Sequence, residues 1–196
     1  LGTPSSGPEA LTKVLSRQIT SPQTVLWCLA GGAVARGLWL LLGATRLRRL
    51  RRDAAPLEPL PASIQRAQSQ LGVAARILVS DRLAGPSTFG LFDPVIILPP
   101  WIRDAEPHVQ EAIACHELIH VRRRDWLEEI GEELVRSLLW FHPAMRWLIG
   151  RVQLSREQVV DRCAIQLTAS PDRYVRALLA VALSGSRVAL VPAPLF

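Results

Sequence analysis

The pattern of apolar and polar positions begins with one long apolar run. Residues 24–44 contain a single charged residue, Arg36. As a helix, these residues would extend about 30 Å, which matches the core of a bilayer. We therefore expect a transmembrane helix here. The alternative is a buried hairpin helix of a soluble domain.

The flanks of this run favour a membrane and indicate an orientation. Trp27 and Trp39 lie toward its two ends, as interfacial aromatic residues do. Arg36 would cost about 2.5 to 3.5 kcal/mol within a bilayer, so we expect it to face a partner helix or a water-filled cavity. Five arginines follow within residues 46–52. By the positive-inside rule, this end of the helix and the chain after it lie in the cytoplasm.

The next segment predicts a linker and then a small sheet. Three prolines in residues 53–63 indicate an irregular linker. Residues 64–71 predict a short helix that Gly72 ends. The stretches "ARILVS" and "STFGLFDPVIILPP" are rich in β-branched and aromatic residues and predict strands.

Helical patterns dominate the rest of the chain. Asp104 can cap a helix that has Pro107 in its first turn and continues through "HVQEAIACHELIHV". Pro143 breaks the following amphipathic stretch, and a new helix from about residue 144 can return antiparallel. The fold class is thus α+β and mainly helical, with a small β-sheet, an "HELIH" helix, an antiparallel helix that returns to it and one N-terminal transmembrane helix.

The predicted organisation divides the chain into five parts. We expect a truncated N-terminal segment (1–23), the transmembrane helix (24–44), a basic juxtamembrane segment with the proline-rich linker (45–63), one compact domain (64–185) and a truncated C-terminal segment (186–196). The length allows one domain plus an appendage.

Composition and charge narrow the function classes. The net charge is +6, and Lys13 is the only lysine. The arginines concentrate beside apolar stretches, which favours a lipid bilayer as partner and no direct contact with nucleic acid. Cys28, Cys115 and Cys163 have long, unrelated spacings, so they predict no disulfide framework and a reducing compartment.

The stretch "ACHELIH" carries the candidate chemistry. On a helix, His116 and His120 lie about 6 Å apart along the axis and can share one metal. Glu117 lies beside them, where a carboxylate can act as a general base on water. Apolar residues cover the rest of this helix, and unpaired polar groups in such surroundings cost several kcal/mol. One Zn²⁺ would supply the missing partner.

A third protein ligand is expected from the returning helix. Glu157 and Asp161 in "REQVVDRCA" are four residues apart, so Glu157 can bind the metal while Asp161 orients a ligand histidine. The alternative is an exposed charge cluster of Arg156 and Glu157. If the "HELIH" helix continued, the glutamates within residues 128–133 would lie about 12 Å or more beyond His120. They would then form the polar face of an amphipathic helix.

Five stretches, "FGLFDPVIILPP", "HELIHVRRRDW", "WFHPAMRWL", "REQVVDRCA" and "SPDRYVRALLAVA", occur in this order. With them the chain resembles the BlaR/MecR-type membrane zinc metallopeptidases, the beta-lactam sensor and antirepressor family. The resemblance implies a gluzincin-like peptidase domain on the cytoplasmic side of the bacterial cell (inner) membrane. It also implies a signalling protease that cleaves a transcriptional repressor.

The resemblance assigns roles by motif. His116, His120 and Glu157 are the implied zinc ligands, Glu117 the general base and Asp161 a second-shell acid. By gluzincin analogy, an extended protein or peptide substrate could pair with an edge strand within residues 89–98, from Phe89 to Leu98.

Two other interpretations remain open from the sequence. One is a membrane proteostasis or prenyl-processing metalloprotease, which shares the same metal motifs. The other is a non-catalytic membrane adaptor with a vestigial zinc site, which would bind no zinc.

Overall fold

The computed structural model of this chain describes residues 22–83, 85–90, 93–168 and 170–185. It confirms the predicted fold class, since helices surround one small sheet. The two segments expected to be truncated lie outside the described residues, apart from Pro22 and Gln23. The chain separates into two compact units, Leu1–Leu42 and Gly43–Phe196.

The first unit contributes most of helix α1 (Pro22–Asp53). Among the described residues, this is the one helix long and apolar enough to cross a membrane, with a mean hydropathy of 1.8. Arg36, expected to face a partner helix or a cavity, places its guanidinium 4.3 Å from the centre of the Trp39 ring. This cation–π contact lowers the cost of a charge among apolar side chains.

A mixed four-stranded sheet forms part of the second unit. Its strands are β1 (Ala55–Pro56), β2 (Arg76–Val79), β3 (Ser87–Phe89) and β4 (Val95–Leu98). They lie in the order β1-β2-β4-β3. β2 and β4 are parallel, with Ile77 opposite Ile96, and the two outer strands pair antiparallel. β3 therefore forms one edge, whereas β4 is paired on both sides.

The sheet is buried on both faces, which explains the unbroken apolar sequence of β4. Ile96 and Leu98 pack into the main core with the helices. Val95 and Ile97 pack on the other face, where Leu47 of α1 covers them. A strand covered on both faces has no solvent-facing positions, so polar alternation is absent.

Helices build the remainder of the second unit. They are α2 (Ala62–Leu71), a short 3-10 helix (Pro100–Arg103), α3 (Pro107–Arg123), α4 (Asp125–Leu138), α5 (Pro143–Thr168) and α6 (Pro171–Gly185). α3 is the central helix, and its residues Ala112, Cys115 and Leu118 are fully buried in the main core. Its polar "HELIH" residues are therefore held on a rigid element.

Two local predictions are wrong. The proline-rich segment is not wholly irregular, because Ala55 and Pro56 pair with β2 as a short edge strand. Proline is tolerated there because an edge strand needs fewer ladder donors. Asp104 does not cap α3 but ends the short 3-10 helix, and Glu106 stands at the start of α3. The fixed φ angle of Pro107 sets this start.

The junction after β3 requires glycine. Gly90 has a φ of 111°, and an added Cβ would lie 2.5 Å from the carbonyl oxygen of Asp93. We expect Gly90→Ala to lower the free energy of unfolding by about 2 kcal/mol or more, because both the dihedral and the contact are unfavourable. Chemical denaturation of the purified protein measures this change.

Gly131→Ala is the matched control. Gly131 lies within α4, and an added Cβ would meet no atom within 4 Å. Alanine there should leave stability unchanged or raise it by about 0.5 to 1 kcal/mol. Equal effects of the two substitutions would contradict the steric argument at Gly90.

Candidate metal centre

Two histidines of α3 present the same ring nitrogen to one point. The Nε2 atoms of His116 and His120 lie 3.2 Å apart. Two nitrogens that bind one tetrahedral zinc at about 2.05 Å would be separated by about 3.3 Å. The observed spacing is therefore that of two ligands of a shared ion.

His120 is oriented by a buried carboxylate. Its Nδ1 lies 2.8 Å from Oδ2 of Asp125, whose side chain is only 1% exposed. Asp125 also accepts a hydrogen bond from Nε of Arg123 at 3.0 Å. Because the carboxylate accepts from Nδ1–H, the Nε2 lone pair of His120 is free to bind a metal.

The turn that positions Asp125 beside His120 was not predicted. α3 ends because Arg124 adopts the left-handed region with a φ of 61°. The chain then starts α4 at Asp125 in a new direction. The condition of a continuing helix is therefore not met, but the glutamates of residues 128–133 still do not belong to the cluster of His116, His120 and Glu157.

His116 is oriented through a tyrosine. Its Nδ1 lies 2.7 Å from the hydroxyl of Tyr174 on α6, and that hydroxyl donates to Oδ1 of Asp161 at 2.5 Å. Asp161 Oδ1 is itself 3.3 Å from Nδ1. Since Tyr174 uses its only proton on Asp161, it accepts the Nδ1–H of His116. The Nε2 lone pair of His116 therefore also faces the metal position.

Glu157 of α5 completes the donor set. Its Oε2 lies 3.6 Å from Nε2 of His116 and 3.9 Å from Nε2 of His120. One ligand atom from each of these three residues falls within 4.8 Å of the others. Two imidazoles and one carboxylate form a donor set typical of catalytic zinc, with a position left for water or substrate.

The electrostatics of the cluster favour a cation. Burial lowers the pKa of His116, but the contact with Glu157 and the charges of Glu117, Glu157 and Asp161 outweigh it and raise the pKa. The contact with His116 lowers the pKa of Glu157 against the opposing effect of burial. Burial and then Asp161 raise the pKa of Tyr174, so its hydroxyl keeps the proton that it donates. Surrounding carboxylates thus stabilise positive charge at the centre.

Glu117 lies beside the metal ligands without joining them. It is buried, and its Oε2 accepts a hydrogen bond of 2.6 Å from the hydroxyl of Thr88. Thr88 belongs to β3, so the edge strand of the sheet directly contacts the proposed base. The contact fixes one carboxylate oxygen of Glu117.

An open cleft of about 760 Å³ leads to this cluster. The metal ligands and Glu117 lie on its walls, together with Thr88 and Phe89 of β3. Arginines and apolar residues of the last turns of α1 form another part of the wall, with Arg46, Leu47, Arg49 and Leu50. The cleft is large enough for several residues of an extended peptide.

The alternative of an exposed Arg156–Glu157 charge cluster is wrong. The Arg156 side chain is only 4% exposed and pairs with glutamates of α4, namely Glu128 at 3.3 Å, Glu129 at 3.6 Å and Glu132 in a shorter contact. Glu157 points away from this group toward the histidines. Arg156 thus ties α5 to α4 one residue before the candidate ligand.

The edge strand beside the cleft shares only Phe89 with the predicted segment, residues 89–98. β4 (Val95–Leu98) is fully buried and paired on both sides, so that part of the prediction is wrong. Of the described residues between 87 and 98, Ser87–Phe89 form an edge of the sheet, and this edge borders the cleft. An interior strand cannot pair with a substrate.

Tyr174, Asp125 and Thr88 were missed by the sequence reasoning. Asp125 follows His120 by five residues, and at this spacing its carboxylate reaches Nδ1 of His120 because the helix breaks between them. Tyr174 and Thr88 lie far from "HELIH" in sequence and are brought to it by packing.

The remaining histidines and Cys115 lie outside the cluster. His108 pairs with Glu106 at 3.1 Å, and His142 is exposed. Burial raises the pKa of Cys115 to about 11, with Glu111 adding to the effect, so it is an unreactive core residue.

Asp125→Asn tests how His120 is held. Loss of the carboxylate should weaken the preference for the Nδ1–H tautomer and lower the affinity for zinc about 10- to 100-fold. Competition with a chromogenic zinc chelator measures the affinity. Asp172→Asn on the exposed start of α6 removes the same charge away from the site and should leave affinity unchanged. Equal affinities in both variants would contradict the orienting contact.

Comparisons with known proteins agree with this geometry. The family described as BlaR1 peptidase M56 matches residues 4–194. The chain is also similar to the "Regulatory protein BlaR1" of Bacillus licheniformis, with 33% identity over 82 residues. That match covers 42% of this chain and 14% of the relative. The family match covers nearly the whole chain and includes the residues of the zinc-type donor set. This chain therefore belongs to the BlaR1 peptidase M56 family of zinc peptidases.

Proposed function

We propose that this protein is a membrane-anchored, zinc-dependent endopeptidase that acts in signalling by cleaving a cytoplasmic transcriptional repressor. One observation carries the peptidase part of the proposal. The ligand atoms of His116, His120 and Glu157 converge on the wall of a cleft that also contains Glu117. A base beside a three-ligand metal position is the arrangement required for metal-assisted hydrolysis.

The metal part of the mechanism rests on the donor set. A zinc ion bound by His116, His120 and Glu157 would supply a Lewis acid that polarises the scissile carbonyl and makes water more acidic. Asp125 and the Tyr174–Asp161 pair keep the two imidazole rings in the orientation that binding requires.

Glu117 carries the proton in this proposal. Its carboxylate takes a proton from the attacking water and returns it to the nitrogen of the leaving amine. Thr88 donates to Oε2, which leaves Oε1 as the acceptor for that proton. The geometry supports this role because Glu117 is fixed by its neighbours before substrate arrives.

The substrate is proposed to bind as an added strand. β3 (Ser87–Phe89) lies at the sheet edge beside the cleft. Main-chain hydrogen bonds to such an edge hold an extended peptide regardless of most of its side chains. Thr88 lies in this strand and contacts Glu117, which would bring the bound backbone near the base.

The proposal also specifies a transcriptional repressor as substrate, anchoring in a membrane and a cytoplasmic location of the cleft. The Bacillus licheniformis relative is named a regulatory protein. α1 is long and apolar enough to anchor the chain in the bacterial inner membrane. By the positive-inside rule, the five arginines of residues 46–52 support a cytoplasmic position of its C-terminal end. A cytoplasmic protein would then be within reach of the cleft.

Glu117→Gln tests the base. We expect hydrolysis to fall by about 10³-fold or more while zinc remains bound, because the amide cannot accept the proton but leaves the ligands in place. Mass spectrometry of new termini in a proteome-derived peptide mixture measures the rate. Glu106→Gln, at the exposed start of α3, is the control and should keep full activity. Normal cleavage by Glu117→Gln would rule out this mechanism.

Metal content tests the donor set. Protein purified from zinc-supplemented cells should contain about one zinc per chain by elemental analysis. His116→Ala should lose most of it, whereas His142→Ala removes an exposed histidine and should retain it. An intact protein without zinc would end the peptidase proposal in favour of a non-catalytic adaptor.

A further inference from the structure

Helix α4 (Asp125–Leu138) has its polar face turned inward. Glu128, Glu129 and Glu132 point toward α5, where they pair with the buried Arg156. Gln153 of α5 adds a hydrogen bond of 3.0 Å to Glu132. The polar side of this amphipathic helix is therefore already satisfied by protein.

The apolar side of α4 is turned outward. We define the outer face by four residues at helical spacing, Leu127, Ile130, Leu134 and Leu138. All four are exposed, and Leu134 and Leu138 keep 60% and 63% of their surface accessible. A helix at the surface of a water-soluble domain has the opposite arrangement.

The turn after α4 and the start of α5 continue this apolar character. Trp140, Phe141, Trp147, Leu148 and Val152 are all exposed. Trp140 and Phe141 contact each other edge to face, with ring centres 6.1 Å apart. Exposed tryptophans beside exposed aliphatic residues are typical of a lipid interface, where the indole N–H meets water or headgroups.

Arginines lie around these apolar residues. Arg122 precedes the outer face, and Arg146 and Arg151 lie beside the exposed residues of α5. All three are exposed, and the outer face itself carries no charge. Apolar residues with arginines at their borders complement a bilayer whose acyl chains lie beneath anionic headgroups.

The length of α4 limits how deeply this helix can enter a bilayer. Fourteen residues extend about 21 Å, which is too short to cross a hydrocarbon core of about 30 Å. The inward glutamates also require protein on one side of the helix. A helix with these properties lies in the plane of the interface.

We propose that the outer face of α4, with the exposed start of α5, is a membrane-docking surface that embeds in the headgroup region of an anionic bilayer. This proposal does not rest on the hydrolytic activity. It places the second unit against the lipid surface through its own residues, in addition to any anchoring by α1.

Site-directed spin labels test this placement. The full chain, with Cys28 and Cys163 replaced by alanine, is labelled through Leu134→Cys or Leu138→Cys with a nitroxide and reconstituted into vesicles of phosphatidylcholine and phosphatidylglycerol (7:3). Cys115 is buried and is left in place. Gln65→Cys and Ser69→Cys on the exposed side of α2 are the matched controls. Zinc content and circular dichroism verify that each variant is folded.

Accessibility to two relaxation agents separates the outcomes. Docking predicts that labels at 134 and 138 are relaxed severalfold more by oxygen, which concentrates in lipid, than by a water-soluble nickel complex. The controls on α2 should show the reverse. Strong relaxation by the nickel complex at 134 and 138 would overturn the proposal, because the face would be in water. Protection from both agents would also overturn it, because the face would be covered by protein, such as a second copy.

Discussion

The structure of the site depends on bringing two imidazole nitrogens to 3.2 Å with both lone pairs directed at one point. Without a cation, such lone pairs repel each other, so the surrounding protein has to hold the rings in place. Asp125 holds His120, and the Tyr174–Asp161 pair holds His116. These partners come from the start of α4, from α5 and from α6. The packing of these three helices around α3 therefore fixes the two imidazole rings.

The parts of the site that local spacing controls could be predicted from sequence. His116, Glu117 and His120 lie on one helix, and their relative positions follow from the helical rise and twist. The i, i+4 spacing of Glu157 and Asp161 similarly placed them on one side of a returning helix. In the structure, these five residues lie together, although they belong to two helices separated by α4. The fold class followed from the same periodicities.

The missed residues depend on tertiary structure or on rare backbone geometry. Asp125 reaches His120 only because Arg124 adopts a left-handed conformation. Arginine seldom does so, and the glycine that usually marks such a position in a sequence is absent at 124. Tyr174 reaches His116 from 58 residues away through the packing of α6 on α3. An exposed Arg156 was the alternative that the sequence left open, because charged residues are usually solvated, but three glutamates of α4 provide partners for its burial. A buried charge depends on groups that its own neighbourhood in sequence does not identify.

Helix α4 shows a related limit of periodicity. Its sequence pattern predicts an apolar face and a polar face, but not which of them the protein covers. Here the polar face packs against α5 and contacts the site. Asp125 begins α4 and holds His120, while the half-exposed Glu128 and the more buried Glu132 bind Arg156 beside Glu157. One of the three ligands, His120, therefore contacts α4 directly, and a second, Glu157, follows a residue that is paired to α4. Because such contacts are costly to break without replacement, a movement of α4 would also displace His120 and the turn of α5 that carries Glu157.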